Sequence, residues 1–154
     1  MDIRIYRPED ETAVISLWKA CALVRPWNDP GKDIARKLRV RGDLFLVGVI
    51  DGKIVATAMA GYEGHRGWIN YLAVAPEHRR NGLARKIMLE AECLLREIGC
   101  PKINLQVRRG NDAAIAFYKA IGYDLDDVIS MGKRLETDHK AAAPPGGADN
   151  KNKS

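Results

Sequence analysis

The sequence predicts a mixed α/β (α+β) fold, with a central, mostly antiparallel sheet that carries one parallel strand-helix-strand unit and is flanked by helices. Leu83, Ala84, Ile87, Met88, Ala91, Leu94, Leu95 and Ile98 recur at the spacing of one helical face, and Gly99 with Pro101 supplies the stop. Strand-like stretches lie on both sides of that helix, Trp68 to Val74 before it and Ile103, Leu105 and Val107, alternating with Asn104 and Gln106, after it. A strand, a helix and a second strand in this order form a parallel crossover. Upstream, two apolar runs flank Asp51-Gly52, the turn signal of an antiparallel hairpin.

The other elements fall into place along the chain. Ile3 and Ile5 alternate with polar residues as a first strand, and Pro8 suits the first turn of a helix reaching about Ala20. Arg25-Pro26-Trp27-Asn28-Asp29-Pro30 is a turn-rich connection, followed by a second helical stretch with Ile34 and Leu38 four apart. Leu44 to Ile50 and Lys53 to Tyr62 are the hairpin strands. Gly64-His65-Arg66-Gly67 turns the chain into the next strand, so the second to fourth strands form a meander. Asn111-Asp112 can cap a helix from Ala113 to Ile121 that ends at Gly122, and Tyr123 to Leu135 can add two final strands. Residues 1–135 are thus expected to be one domain. Residues 136–154, which have no large apolar side chain and contain Ala-Ala-Ala-Pro-Pro-Gly-Gly-Ala, are expected to be a disordered tail.

Composition narrows the function. No apolar run approaches the roughly 18 to 20 residues that span a bilayer, and the first residues lack the basic-then-apolar order of a signal peptide. A cytoplasmic protein without a membrane partner is expected. Cys21, Cys93 and Cys100 are odd in number and lack Cys-x-x-Cys spacing, which argues against a disulfide framework and a zinc site, so no metal is expected. The net charge is +5, and residues 136–154 contribute none of it. Arg79, Arg80, Arg85 and Lys86 face only Glu77 between Ala75 and Lys86, a basic cluster suited to nucleic acid, a membrane surface or a phosphorylated small molecule. Nucleic acid is the weakest of these, because no recognition-helix motif or interleaved aromatic platform accompanies the cluster.

The cluster lies in Arg79-Arg80-Asn81-Gly82-Leu83-Ala84, between a strand and a long helix. A glycine turn at a helix N-terminus lets backbone N–H groups converge on an anion, with the positive helix end behind them. This geometry suits a pyrophosphate. Gly82 would permit close approach, Ala84 would leave room, and Arg79, Arg80 and Arg85 would add charge.

These residues resemble the signature of the GCN5-related N-acetyltransferase (GNAT) superfamily, Arg or Gln, two residues, Gly, one residue, Gly or Ala, after a strand ending in Val-x-Pro. Arg79, Gly82, Ala84 and Val74-Ala75-Pro76 match it. A second family signature is matched by Asn111, Phe117-Tyr118 and Gly122-Tyr123, and the resemblance, strongest to a bacterial branch, spans residues 1–135. It implies the GNAT fold, acetyl-coenzyme A as cosubstrate and a primary amine, on a small molecule or a protein, as acceptor. A non-catalytic acyl-coenzyme A binding module and a peptide N-terminal acetyltransferase are the alternatives, and a homodimer is left open.

By the same resemblance, the backbone of Leu72, Ala73 and Val74 would bind the pantetheine arm as an added strand, and the backbone of Arg80, Asn81, Gly82, Leu83, Ala84 and Arg85 would hold the pyrophosphate. Asn111 would contact the cofactor arm. Tyr118 would be the acid for the departing thiolate, and the Ala73 N–H would be an oxyanion donor. Trp27 and Tyr71 would line the acceptor pocket. The base is less evident, since Trp68-Ile69-Asn70-Tyr71 and Leu105-Gln106-Val107-Arg108 lack the glutamates that relatives carry there. Glu63, with His65 beside it, is the candidate for a water-relayed base.

Overall fold

The computed structural model describes residues 1–139, and there the strands stand in sequence order: β1 (Asp2–Ile5), β2 (Phe45–Ile50), β3 (Lys53–Tyr62), β4 (Gly67–Val74) and β5 (Ile103–Asn104). The first three junctions are antiparallel and β4 to β5 is parallel, as the hairpin turns and the crossover demand. Helices α1 (Glu11–Ala20) and α2 (Pro30–Arg39) cover one face, and α3 (Leu83–Glu97) and α4 (Asp112–Ala120) the other. Strand alternation divides the core accordingly. Phe45, Val47, Val55 and Met59 pack with Val14, Leu17 and Trp18 of α1, whereas Leu46, Ala56, Ala58 and Ala60 pack with Ile87, Met88, Ala91 and Leu95 of α3. The three alanines of β3 let α3 lie close to the sheet.

Helix starts follow local chemistry. Pro8 opens a 3-10 turn over Pro8–Asp10 that feeds α1, and buried Asp10 accepts from both guanidinium nitrogens of Arg4, at 2.7 and 2.9 Å, and from the Arg7 N–H. The Asp29 side chain caps α2 by accepting from the Lys32 N–H at 3.0 Å.

Two expectations about strands are corrected. The predicted fifth strand is paired only at Gly67 with Ile103 and at Trp68 with Asn104, after which Leu105 to Arg108 leave the ladder. A bulge diverts β4 from its neighbour at that level, so the alternation of Leu105 and Val107 has no backbone to pair with. At the vertex, Gly67 is dictated by contact, since a Cβ there would stand 2.7 Å from Cys100 Sγ, 3.2 Å from Ile103 and 3.3 Å from Leu95. The two final strands predicted over Tyr123 to Leu135 are absent from the described residues. The segment runs beside β5 through side chains, Lys102 to Asp126 at 2.6 Å and Gln106 to Ser130, without a backbone ladder.

Glu136 to His139, assigned from sequence to the tail, continue onto α2, and 140–154 lie outside the described residues. Asp138 is buried, and its carboxylate accepts from Arg36 at 2.6 Å and from the Asp29 N–H at 2.8 Å, while its carbonyl accepts from Lys32 Nζ. Arg36 and the Asp29 amide hold the Asp138 carboxyl well below the usual carboxylate range. A depressed acid stabilises the fold fully above its unfolded pKa, about 3.9, and the stabilisation is lost as pH falls through the folded value. Asp138→Asn is therefore expected to lower the melting temperature at pH 7, with the gap from wild type closing toward pH 2. A gap that stays constant from pH 7 to pH 2 in calorimetric scans would count against this docking.

Candidate active site

Helix α3 begins without a side-chain cap and without an acidic residue in its first turn. The first N–H groups of a helix have no partner within it, so the α3 N-terminus offers donors and the positive end of a 15-residue dipole. Gly82, the residue before α3, has φ +71°, and a Cβ there would meet nothing within 4 Å. Arg79, Arg80, Asn81, Gly82, Arg85 and Lys86 are exposed around this turn, Ala84 is half-buried and Leu83 anchors the helix in the core. The predicted pyrophosphate residues are thus brought together as an open, cationic, donor-rich turn.

Beyond Trp68, strand β4 leads into the turn with one edge unpaired among the described residues. Ala75 N–H donates to the Val55 carbonyl at 2.8 Å, and ladder groups alternate along an antiparallel strand. Ala73, opposite Thr57, therefore also turns its N–H toward β3, while Leu72 and Val74 turn theirs to the open edge. The expected oxyanion role of the Ala73 N–H is corrected by this register. Leu72 and Val74 fit an extended amide-bearing arm laid along the edge.

The bulge above this edge has a specific support. Tyr71 has φ +50°, a left-handed conformation that costs a non-glycine residue about 1 to 3 kcal/mol. Trp18 Nε1 donates to Thr57 Oγ1 at 2.9 Å, and Thr57 Oγ1 donates to the Tyr71 carbonyl at 2.8 Å. The Tyr71 ring stacks on Trp18 with centroids 3.8 Å apart, and its hydroxyl donates to Asp33 Oδ2 at 2.6 Å. Burial and the Asp33 carboxylate raise the Tyr71 pKa. Tyr71, predicted to line the acceptor pocket, thus spends its ring and hydroxyl on holding the bulge.

Beyond the vertex lies a cleft of about 1390 Å³, lined by Trp68 and Asn70 of β4, Asn104 and Gln106 at β5, and Tyr118 of α4, among others. Tyr118 is half-buried between Phe117 and Tyr123, at centroid distances of 5.1 and 5.8 Å, and its burial pushes the phenol up to about 12. Its neighbour Tyr123 donates to Glu92, so of the two phenols Tyr118 is the one free to serve a ligand. Trp27 lies under the Arg108 guanidinium, 5.3 Å from the ring centroid, and Arg108 lines the cleft. Asn111 caps α4, its side chain accepting from the Ala114 N–H at 3.3 Å, which leaves its NH₂ at the exposed surface.

Glu63 is not brought to this cleft. Its carboxylate accepts from the backbone N–H groups of His65, at 2.7 Å, and Arg66, which closes the β3–β4 turn and lowers its pKa. The lining of the cleft on β4 begins at Trp68, past this turn, and does not include Glu63. Sequence reading missed Asp33, Thr57 and Trp18, whose roles appear only once α1, α2 and β4 are packed together. It also missed Asn70 and Asn104, polar residues on the open side of two strands, where the alternation itself was the available signal.

The profile described as the Acetyltransferase (GNAT) family matches residues 12–123. An acetyltransferase of Pectobacterium atrosepticum is 49% identical over 140 residues, covering 91% of this chain and 99% of its own length. Among solved structures, the PaiA N-acetyltransferase of Thermoplasma acidophilum, bound to coenzyme A, superposes with a TM-score of 0.72 at 20% identity over 83% of this chain and 92% of that one. The ribosomal-protein-S18-alanine N-acetyltransferase of Escherichia coli gives 0.65 at 24% identity, over 79% and 76% of the two chains. These two structural likenesses carry the fold.

Proposed function

Since the chain belongs to the acetyltransferase (GNAT) family, we propose that it transfers the acetyl group of acetyl-coenzyme A to a primary amine that enters the cleft beside β5. The observation that carries this reading is the uncapped cationic start of α3 at the end of a stretch of β4 that β5 does not pair, with Tyr118 lining the cleft beside β5. Acetyl-coenzyme A would supply an activated thioester, and the protein residues present suit its parts in order. The N–H groups from Arg80 to Arg85 receive the pyrophosphate, with the neighbouring guanidiniums beside it. Leu72 and Val74 pair with the amides of the arm as a neighbouring strand would.

The remaining roles concern protons. A phenol at about 12 stays protonated throughout the working pH range, so Tyr118 can donate to sulfur as negative charge develops there. Asn70, Asn104 and Gln106 present amides, which can orient an amine but take no proton from it. Of the lining carboxylates, Glu92 is engaged by Tyr123, Asp126 by Lys102, and Asp124 is exposed to solvent, so in this reading the amine enters already neutral. Rate is expected to rise with pH toward the acceptor's own pKa, and acceptors of lower amine pKa are expected to shift the profile correspondingly. Glu63→Gln is expected to leave turnover and this profile unchanged, because its carboxylate serves the β3–β4 turn. A selective loss of turnover in Glu63→Gln would restore it as a relay base.

The reading is tested by thiol release from acetyl-coenzyme A in the presence of small amines and of short peptides. Acetyl-dependent release with at least one amine class, accompanied by mass gain on the amine, is expected. Tight cofactor binding without release across both classes would overturn amine transfer and leave a binding module.

A further inference from the structure

The stretch after β5 divides its side chains between two neighbours. Leu105 packs into the core cluster with α3, whereas Arg108 reaches the connection between α1 and α2 and lies over the Trp27 ring, 5.3 Å from its centroid. Asn104, Gln106 and Arg108 stand two apart in sequence and all line the cleft, with Asn70 and Tyr118. A second guanidinium comes to the same connection, since Arg134 donates to Asn28 Oδ1 at 3.1 Å, one residue on from Trp27. Both arginines are exposed, and neither pairs with a carboxylate among the described residues. The acids of this corner are already engaged. Asp29 accepts from the Lys32 N–H, Asp33 from the Tyr71 hydroxyl and Arg36, and Asp138 from Arg36 and the Asp29 N–H. Positive charge is left over here and negative charge is not.

Stacking decides how Arg108 can be used. An indole face attracts a guanidinium and leaves the N–H groups that point away from the ring free to donate. A guanidinium held in this way and unpaired at its edge presents a two-donor fork that matches a carboxylate. Asn70, Asn104 and Gln106 are neutral and do not supply such a preference. We propose, on the amine-transfer reading of the cleft, that the acceptor is an amine whose own molecule carries a carboxylate, and that Arg108, held on Trp27, selects it by binding that carboxylate as the amine enters. Arg134 on the same connection adds to the local positive charge. A free amino acid and the N-terminus of a peptide with an acidic side chain share this chemistry.

Acetylation kinetics with matched acceptors test the selection. One arm compares the amino acids from glycine to aminohexanoate with their carboxamides, and the other compares short peptides carrying glutamate or glutamine at the second position. Concentrations are counted as neutral amine, because a carboxamide lowers the pKa of a nearby amine. In at least one arm the wild type is expected to show kcat/KM about tenfold or more higher for the carboxylate, chiefly through KM. Arg108→Gln is expected to collapse that ratio to within about twofold, with melting temperature and coenzyme A affinity matched to wild type. The arm that shows the Arg108-dependent ratio identifies the source of the carboxylate. A wild-type ratio near one in both arms, or a ratio that survives Arg108→Gln, would overturn the selection. If no amine is acetylated in either arm, amine transfer fails on its own, and the Arg108 Nε–H resonance of the coenzyme A complex, assigned by its absence in Arg108→Gln, decides the site. A shift with the N-acetylated acids and none with their amides would sustain it, and no shift with either would overturn it.

Discussion

Gly82→Glu is expected to reduce coenzyme A affinity by about 100-fold or more while the protein stays folded. Two effects separate cleanly at this position. The left-handed φ of +71° costs a side-chain-bearing residue about 1 to 2 kcal/mol, and the Cβ itself meets no protein atom within 4 Å, so the fold tolerates the change. The space into which the new side chain projects is the space a pyrophosphate would need, and its carboxylate would accept from the N–H groups at the start of α3 as a cap does. Ligand and side chain then compete for the same donors with charges of the same sign. Gly82→Ala, which adds strain without a carboxylate, is expected to lose far less. Calorimetric titration with coenzyme A beside thermal melts decides the matter; a Gly82→Glu protein that binds within threefold of wild type would remove this turn from the cofactor site.

Tyr118→Phe is expected to lower kcat by about 100-fold or more, with KM for the amine and affinity for coenzyme A changed little. The substitution deletes one oxygen from a ring whose packing against Phe117 and Tyr123 does not depend on it. The size of the pKa decides the kind of help the hydroxyl gives. A phenol at about 12 is a weaker acid than a thiol at about 8.5, so complete transfer to sulfur is uphill, and the hydroxyl acts chiefly as a hydrogen-bond donor to the departing thiolate. No alkaline limb from Tyr118 is then expected across the working pH range. Turnover within threefold of wild type, measured where chemistry limits the rate, would make Tyr118 a packing residue.

Elements encoded by periodicity or by a turn were legible in the sequence. The Leu83 to Ile98 spacing places α3, Asp51-Gly52 places the β2–β3 hairpin, and Asn111 caps α4 as its residue type suggests. The cationic turn before α3, proposed to receive a pyrophosphate, was legible as a turn for the same reason, since its residues are neighbours in sequence. What failed depends on partners far along the chain. Alternation in Leu105 and Val107, and again in 125–135, records a capacity for pairing, yet a ladder needs another backbone alongside, and the Tyr71 bulge had already turned β4 away. Ala73 went to the wrong edge because one inserted residue changes which groups face outward, and nothing in Trp68-Ile69-Asn70-Tyr71 announces the insertion. Glu63 attracted a catalytic role for want of any other carboxylate, but its geometry is that of a turn closure.

The two-pair contact between β4 and β5 has a mechanical consequence. A strand laddered only at Gly67–Ile103 and Trp68–Asn104, and held beyond by the side-chain contacts of Gln106 with Ser130 and Arg108 with Trp27, behaves as a cantilever, stiff at its root and more compliant at its tip. The root is clamped, because Gly67 admits Cys100, Ile103 and Leu95 at distances that leave no slack. The tip, Leu105 to Arg108, carries the connection to α4 and with it Tyr118, so the gap can widen by bending one arm while the platform of β1 to β4 stays fixed. In hydrogen exchange the slowest amides should therefore lie in β3, which is paired along both edges, and the fastest of this region from Leu105 to Arg108. An elongated cosubstrate can then slide in edgewise, with no hydrogen bond of the main sheet broken to admit it.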